Sequence, residues 1–215
     1  MIPIAGLVPF TTIAFPGHLA AVVFTQGCEW NCQYCHNQTL RPYGVPSKFT
    51  MKEVLNWIEK RKGFVDGIVI SGGEPTMHGG LRLFIEQIKA LDLAVGLHTN
   101  GSYPARFSRV LPLLDWVGFD YKAPSLQYVE VTKSVISHEL VELSLKHLIA
   151  SNVPYEIRTT WHPNHLPVHS LPYIADELVQ YGVANWTIQL VQGYDSLPDD
   201  ILKAIIKTGL DIVVR

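Results

Sequence analysis

Apolar and polar positions along this chain follow two alternating periods. Short apolar runs rich in β-branched residues stand at 19–25, 67–70, 93–98, 116–121, 155–161 and 186–191, as strands buried on both faces of a parallel sheet require. A polar turn closes each run, and a stretch with apolar residues three and four apart comes next. Met51, Val54, Leu55 and Ile58 form one such stripe, and Leu81, Phe84, Ile85 and Ile88 another, which predicts amphipathic helices. Thr50 and Glu53 make a capping box for the first helix, which ends near Lys62-Gly63. Pro104 opens a third helix at a position where its missing N–H costs nothing. Further helices are expected over about 139–150, 171–181 and 198–207, with a last short strand over 211–214. Residues 36–49 are polar and carry Pro42, Gly44 and Pro46, so they read as a loop.

Six strands each followed by a helix imply an α/β fold with parallel crossovers, either a doubly wound sheet or part of a barrel. In both, the turns after the strands gather on one face, where site residues are to be sought. With 215 residues and 47% hydrophobic content, one domain spanning 1–215 is expected, and no internal repeat is visible. Seventeen basic against nineteen acidic residues leave a net charge of -2, without the basic excess that nucleic-acid or membrane binding needs. The start Met1-Ile2-Pro3-Ile4 lacks a charged n-region, and apolar runs stay far below 18 residues. A soluble, cytoplasmic protein is the expectation.

All three cysteines, Cys28, Cys32 and Cys35, lie within eight residues directly after the first predicted strand. An odd count with no further thiol cannot form a closed disulfide framework, so metal is the better reading. The spacing x3 then x2 lets three thiolates bend round one cubic centre. A [4Fe–4S] cluster held this way keeps one iron without a protein ligand, open to substrate or cofactor. A structural zinc with His36 as fourth ligand is the alternative, although such sites usually pair their ligands across a longer loop.

At these residues the sequence resembles the radical S-adenosylmethionine (SAM) superfamily, whose motif is Cys-x3-Cys-x2-Cys with an aromatic, here Tyr34, before the last cysteine. The continuation Cys35-His36-Asn37-Gln38 resembles the glycyl-radical-activating branch. Gly6-Leu7-Val8-Pro9-Phe10-Thr11-Thr12 and Phe15-Pro16-Gly17 look most like activating proteins of anaerobic ribonucleotide reductase. Gln38 and Ala14 depart from that branch, where proline and an acidic residue are frequent. The resemblance, from about residue 6 onward, implies a partial (β/α)6 barrel of the TIM type.

It also implies the chemistry: a [4Fe–4S] cluster, reduced by a low-potential donor such as flavodoxin or ferredoxin, cleaves SAM to methionine and a 5′-deoxyadenosyl radical. That radical would install a glycyl radical on a partner, which the resemblance makes an anaerobic ribonucleoside-triphosphate reductase. The hard chemistry belongs to cluster and SAM, so no catalytic acid or base is assigned. The same chemistry acting on a small molecule of modified-nucleoside synthesis is a second reading, and a zinc-stabilised binding domain a third.

Individual residues carry both plain and functional readings. Gly72-Gly73-Glu74-Pro75 is by itself a βα turn whose glycines allow close backbone approach and whose Glu74 offers an acceptor to an ammonium group. The resemblance makes it the motif that meets the SAM amino group. Thr99-Asn100 resembles the family's ribose-contacting turn. Asp120 and Lys122 lie two apart at a strand end and so share a side; the plain reading is a surface ion pair. The resemblance has them holding ribose hydroxyls and the methionyl carboxylate. Glu156, Arg158 and Thr160 share one side of their strand, and charges inside an apolar barrel are costly unless they face a wet or liganded cavity. Arg158 is thus a second carboxylate-binding candidate, against a structural pairing with Glu156. Roles for His98 and Gln189 stay open, and His162 and His165 lack a third metal ligand at suitable spacing.

Overall fold

The computed structural model describes residues 2–135 and 138–215. Eight strands form one sheet in chain order: β1 Ile4–Thr11, β2 Ala20–Thr25, β3 Gly67–Gly72, β4 Ala94–Thr99, β5 Trp116–Asp120, β6 Tyr155–Trp161, β7 Asn185–Leu190 and β8 Asp211–Val214. From β2 to β8 all neighbours are parallel. The connecting helices are α1 Met51–Glu59, α2 Leu81–Lys89, α3 Pro104–Val110, the short α4 Tyr128–Thr132, α5 His138–Ile149, α6 Leu171–Gln180 and α7 Asp199–Ile206. The predicted capping box is present: Thr50 Oγ1 accepts from Glu53 N, and Glu53 Oε2 accepts from Thr50 N at 2.7 Å. Pro104 sits in the first turn of α3.

β1 was not predicted as a strand. It pairs antiparallel with β2, with irregular register around Gly6 and between Val8 and Thr11. Gly6 and Pro9 weaken its strand pattern, and proline is tolerated there because β1 is an edge strand whose outward N–H groups face no ladder.

Two apolar cores lie on opposite sides of the sheet. The larger lies between sheet and helices and takes in Ile58, Phe84, Phe107, Leu145 and Ile174. The smaller, made of Phe15, Ala20, Val22, Val69 and Trp116, fills the inner face near the N-terminal ends of the parallel strands. Phe15 comes from the β1–β2 turn, is 1% exposed, and stacks on Trp116 at 5.8 Å between centroids. Its burial contributes about 1.5–3 kcal/mol and plugs that end of the barrel. Ser71, His98, Asp120, Arg158 and Gln189, carried by five different strands, meet at one cavity above the plug, which requires the sheet to curl. β1 and β8 do not pair with each other, so the barrel is open at that seam. Among the described residues no helix is long and apolar enough to cross a membrane.

Candidate active site

The cavity holds about 300 Å3 and lies at the C-terminal ends of the parallel strands. Cys28, Cys32 and Cys35 all line it, along with Tyr34, Gly72, Gly73, Glu74, Thr99, Asn100, Asp120, Lys122 and Arg158. Pro75 alone of the expected site residues stands outside the wall; it opens the 3-10 turn Pro75–Met77 that follows Glu74. Trp30, His36, Asn37, Arg41, Ser71, His98, Thr160 and Gln189 also line the cavity; Thr160 is expected on the same side of its strand as Arg158 and the sequence leaves roles for His98 and Gln189 open, while Trp30, Asn37 and Arg41 are not expected there. For His98 and Ser71 a signal existed: both lie near strand C-termini at inward-facing positions.

The cysteine loop is tied down from two sides. Gly27 N donates to Leu40 O at 2.7 Å, Cys28 N to Arg41 O at 3.0 Å, and Asn31 N to Thr132 O at 2.8 Å. Arg41 Nη1 donates to Cys32 O at 3.0 Å. All three thiols are free. Burial, with the Glu29 charge next in size, pushes the Cys28 thiol far up, and burial raises Cys32 as well. Thiolates at these positions therefore need a bound cation to stabilise them, and binding would release protons. Among the described residues no three His, Cys, Asp or Glu side chains gather closely enough for a single ion, and His36 is exposed. His36 lines the same cavity as the three cysteines.

The glycine pair serves packing as well as access. Gly73 N donates to Thr25 O, and a Cβ on Gly73 would sit 2.0 Å from Gly27 O. Only glycine lets the β3 turn press against the base of the cysteine loop. Glu74 is wholly buried, and its carboxylate accepts from Thr76 N, Thr76 Oγ1, Thr99 Oγ1 and Asn100 N. Burial first, and the neighbouring Glu29 second, raise its pKa. In this conformation the carboxylate clamps the Thr99-Asn100 turn onto the β3 turn, with three of the four hydrogen bonds on Oε1 and one, from Asn100 N, on Oε2. Asn100 Nδ2 and Ser102 Oγ in turn donate to Glu29 Oε1.

Asp120 is the hub of the charged wall. Its Oδ2 pairs with Lys122 Nζ at 2.9 Å, and its Oδ1 with Arg158 Nη2 at 2.9 Å and Nε at 3.0 Å. Arg158 does not pair with Glu156, which instead accepts from Thr187 Oγ1 and Arg215 Nη2. Burial works against the ionised Asp120, but Lys122 and Arg158 outweigh it and hold the carboxyl well below the usual range. Burial likewise opposes charge on Lys122, and Asp120 more than restores it. Gly118 makes room for the guanidinium: a Cβ there would lie 2.8 Å from Arg158 Cζ. Arg158 Nη2 also lies 3.4 Å from Gly118 O; Nη1 lies 3.4 Å from His98 Nε2, which donates its own proton to Ala14 O and cannot accept, so Nη1 keeps its donors. Lys122 Nζ makes one hydrogen bond, to Asp120, and keeps two donors.

His98 links this wall to the plug. Its Nε2 lies 2.9 Å from Ala14 O and donates to it, while Nδ1 accepts from Ser71 Oγ at 3.3 Å. Burial, then the Arg158 charge, push its pKa down to about 3, so the ring is neutral. The His162 and His165 rings lie 4.5 Å apart, tilted by 48°, beside the Tyr34 ring.

The donor set fits a cluster with SAM. Three free thiols share one cavity with a lysine that has spare donors, and Trp30 Nε1 and Tyr34 OH are buried without a partner among the described residues. Buried polar atoms in natural sites are rarely left so.

Comparison with known proteins agrees. The family model described as the radical SAM superfamily matches residues 22–165. A Methanocaldococcus jannaschii protein named, provisionally, as a glycyl-radical enzyme activating enzyme is 32% identical over 80% of this chain and 73% of its own length. The pyruvate formate-lyase-activating enzyme of Staphylococcus aureus is 31% identical over 89% of this chain and 69% of its own. Among solved structures, QueE from Escherichia coli superposes with a TM-score of 0.63 at 17% identity, covering 100% of this chain and 93% of that one. SuiB of Streptococcus suis bound to S-adenosylmethionine gives 0.65 at 13% identity over 88% of this chain and 48% of that one. At such identities these two show the fold alone. The chain belongs to the radical SAM superfamily, and is an enzyme of the [4Fe–4S] cluster and S-adenosylmethionine.

Proposed function

We propose that this enzyme installs a glycyl radical on a partner protein, an anaerobic ribonucleoside-triphosphate reductase, in the reducing cytoplasm. The observation that carries the reading is the 31–32% identity, over most of the chain, to relatives named as glycyl-radical and pyruvate formate-lyase activating enzymes. Support for the reductase as partner comes from the resemblance of Gly6 to Thr12 and of Phe15-Pro16-Gly17. Those residues form β1 and the barrel plug.

In this reading Cys28, Cys32 and Cys35 hold the cluster, and Lys122, oriented by Asp120, binds the SAM carboxylate. When bound, cluster and SAM supply a one-electron cleavage that yields the 5′-deoxyadenosyl radical. The chain's own residues bind, orient and exclude water. Gly72 and Gly73 bring backbone to the cavity edge, and Glu74 holds Thr99 and Asn100 in place. Phe15 closes the far end of the barrel, so access is confined to the strand C-termini and the β1/β8 seam. A low-potential donor protein supplies the electron. A glycine-bearing loop of the partner, entering from the open end, would itself exclude solvent as a lid does elsewhere.

The test is to mix reduced enzyme, SAM and a candidate anaerobic reductase and record the electron paramagnetic resonance spectrum. A glycyl doublet that disappears when the partner's C-terminal glycine is replaced supports the assignment. Turnover of a small heterocycle with no protein radical would move it to a small-molecule substrate.

A further inference from the structure

A polar network centred on α6 lies outside the cavity. Glu177 Oε1 accepts from Ser125 Oγ at 2.7 Å, Ser125 N lies 3.0 and 3.1 Å from the two carboxylate oxygens, and Oε2 accepts from Tyr121 OH at 2.8 Å. Tyr121 is wholly buried, and its hydroxyl also lies 2.6 Å from His138 Nε2. The phenol has one proton and gives it to Glu177, so His138 Nε2 is the donor to the phenol oxygen. None of Tyr121, Ser125, His138 and Glu177 lines the cavity.

What the network holds is the segment leading out of β5. Tyr121 and Ser125 bracket Lys122, whose N donates to Tyr128 OH at 3.0 Å. Tyr128, also wholly buried, packs edge-on against Trp30 at 5.8 Å between centroids, and Thr132 O at the end of α4 accepts from Asn31 N at 2.8 Å. Segment 121–132 is thus hung between the cysteine loop on one side and α6 on the other, with Lys122 between the ties. Ser170 Oγ, just before α6, adds a further tie to Gln127 Oε1 at 2.8 Å. Packing alone does not call for a carboxylate here. Ile174, Ala175 and Leu178 already bury the inner face of α6, whereas a charged acceptor fixes the direction of its donors and holds them about twice as strongly as a neutral one. The cysteine loop keeps its own anchors, Gly27 N to Leu40 O and Cys28 N to Arg41 O. Loosening the α6 tie therefore moves the lysine and leaves the loop in place.

We propose that Glu177, through Tyr121 and Ser125, is a positioning residue that sets where Lys122 Nζ stands relative to the cysteine loop, and so fixes the seat of the SAM carboxylate. This rests on the reading of Lys122 as the cation that binds that carboxylate. A lysine is a point charge on a flexible stem, and a binding group has to be held within about 0.5 Å of its productive place. With no side chain other than Asp120 on its ammonium, the backbone at Lys122 supplies the rest of that constraint, and Glu177 holds the backbone.

The test measures SAM binding by calorimetry on cluster-loaded protein and records the electron paramagnetic resonance signal of the reduced cluster before and after SAM is added. Glu177→Ala should raise the SAM dissociation constant about tenfold, the lower end of what partners one step behind a ligand group contribute. Its iron content and SAM-free signal should match the wild type, and its SAM-bound signal should not. Glu177→Gln can keep both Ser125 donors on its oxygen and give its amide N–H to Tyr121, whose proton then turns to His138, so it should bind SAM as the wild type does. Glu177→Ala/Lys122→Ala should bind no more weakly than Lys122→Ala alone, because a residue acting through the lysine then has nothing to position. Tyr121→Phe/Ser125→Ala removes two of the donors and stands in if Glu177→Ala fails to load iron; it should weaken SAM binding as well. Asp115→Asn, which loosens Lys89 and Val95 N at the opposite end of the barrel, controls for general destabilisation and should leave the affinity unchanged. Unchanged affinity in the iron-loaded variant, an equal loss in Glu177→Gln or Asp115→Asn, or additive losses in the double variant would overturn the positioning role while leaving Lys122 in place. Unchanged affinity in Lys122→Ala would overturn the reading of Lys122 and this inference with it.

Discussion

Replacing Asp120 by Asn tests the charged wall without relying on any reaction. The carboxylate is 28% exposed, Lys122 13% and Arg158 10%, with both cations within 2.9 Å of it. Asn keeps the shape and removes the charge, leaving two cations in a pocket that desolvates them. Removing one partner from a buried pair costs about 3–5 kcal/mol, and the residual solvent contact of Asp120 points to the lower end, about 3 kcal/mol. Lys122→Met added to Asp120→Asn deletes one of the stranded charges, so the double variant should be more stable than the two single effects predict by about 1–2 kcal/mol. Urea unfolding at pH 7 and at pH 5, on samples of equal iron content, measures both. Because the folded-state pKa of Asp120 is depressed, its contribution is fully present above the unfolded value of about 3.9 and is lost only as pH falls below that. The Asn variant should therefore show the same difference between pH 7 and pH 5 as the wild type. A loss under 1 kcal/mol, or strict additivity in the double variant, refutes the hub.

Lys122→Ala should raise the SAM dissociation constant by about ten- to a hundredfold, the scale of a charge-assisted hydrogen bond. Arg158→Ala, which removes a guanidinium with only Nη1 to spare, should raise it less; calorimetry on cluster-loaded protein ranks the two. His98 has a folded pKa pushed below its unfolded value, so stability is complete above about pH 6.5 and falls as pH drops from there toward 3. The expected loss between pH 7 and pH 5 is about 1–2 kcal/mol, and His98→Asn should flatten that part of the stability curve. Cys28→Ala, Cys32→Ala and Cys35→Ala should each abolish iron retention and 5′-deoxyadenosine production, read by iron analysis and anaerobic chromatography. Gly73→Ala should destabilise the fold by about 1–3 kcal/mol through overpacking against Gly27, visible as a lowered Tm even in protein without SAM.

The parallel strands and their helices were legible because each buried run and each amphipathic stripe follows from one local rule. Leu81, Phe84, Ile85 and Ile88, for example, are all buried in α2, as their spacing demanded. β1 was not legible by that rule, since an edge strand broken by Gly6 and Pro9 buries only part of itself and lacks either period. Nor was the plug: Phe15 lies in a turn, and nothing local says that a turn will fold back into the barrel. Its destination depends on the diameter that eight strands enclose and on Trp116 being there to meet it.

The candidate site was legible as a set of residues but not as a division of labour among them. A motif reports which side chains stand at strand ends, and all but Pro75 of those singled out do line the cavity. It does not report what each has already bonded to. Glu74 was read as an acceptor for an ammonium group, yet four donors from Thr76, Thr99 and Asn100 converge on it. Arg158 was read as a second carboxylate-binding candidate against a pairing with Glu156, and its Nε and Nη2 instead engage Asp120 and Gly118 O while Nη1 stays uncommitted. Apart from Thr76, two residues on from Glu74, such partners come from other strands or the turns after them, 25 to 60 residues away in the chain, and no short-range pattern encodes them. The consequence is chemical. A buried group whose bonds are filled by its own fold serves to position others, while one with donors to spare can hold a ligand, and on that criterion we propose Lys122, Arg158 through Nη1, Trp30 and Tyr34 as side chains of this cavity that meet SAM.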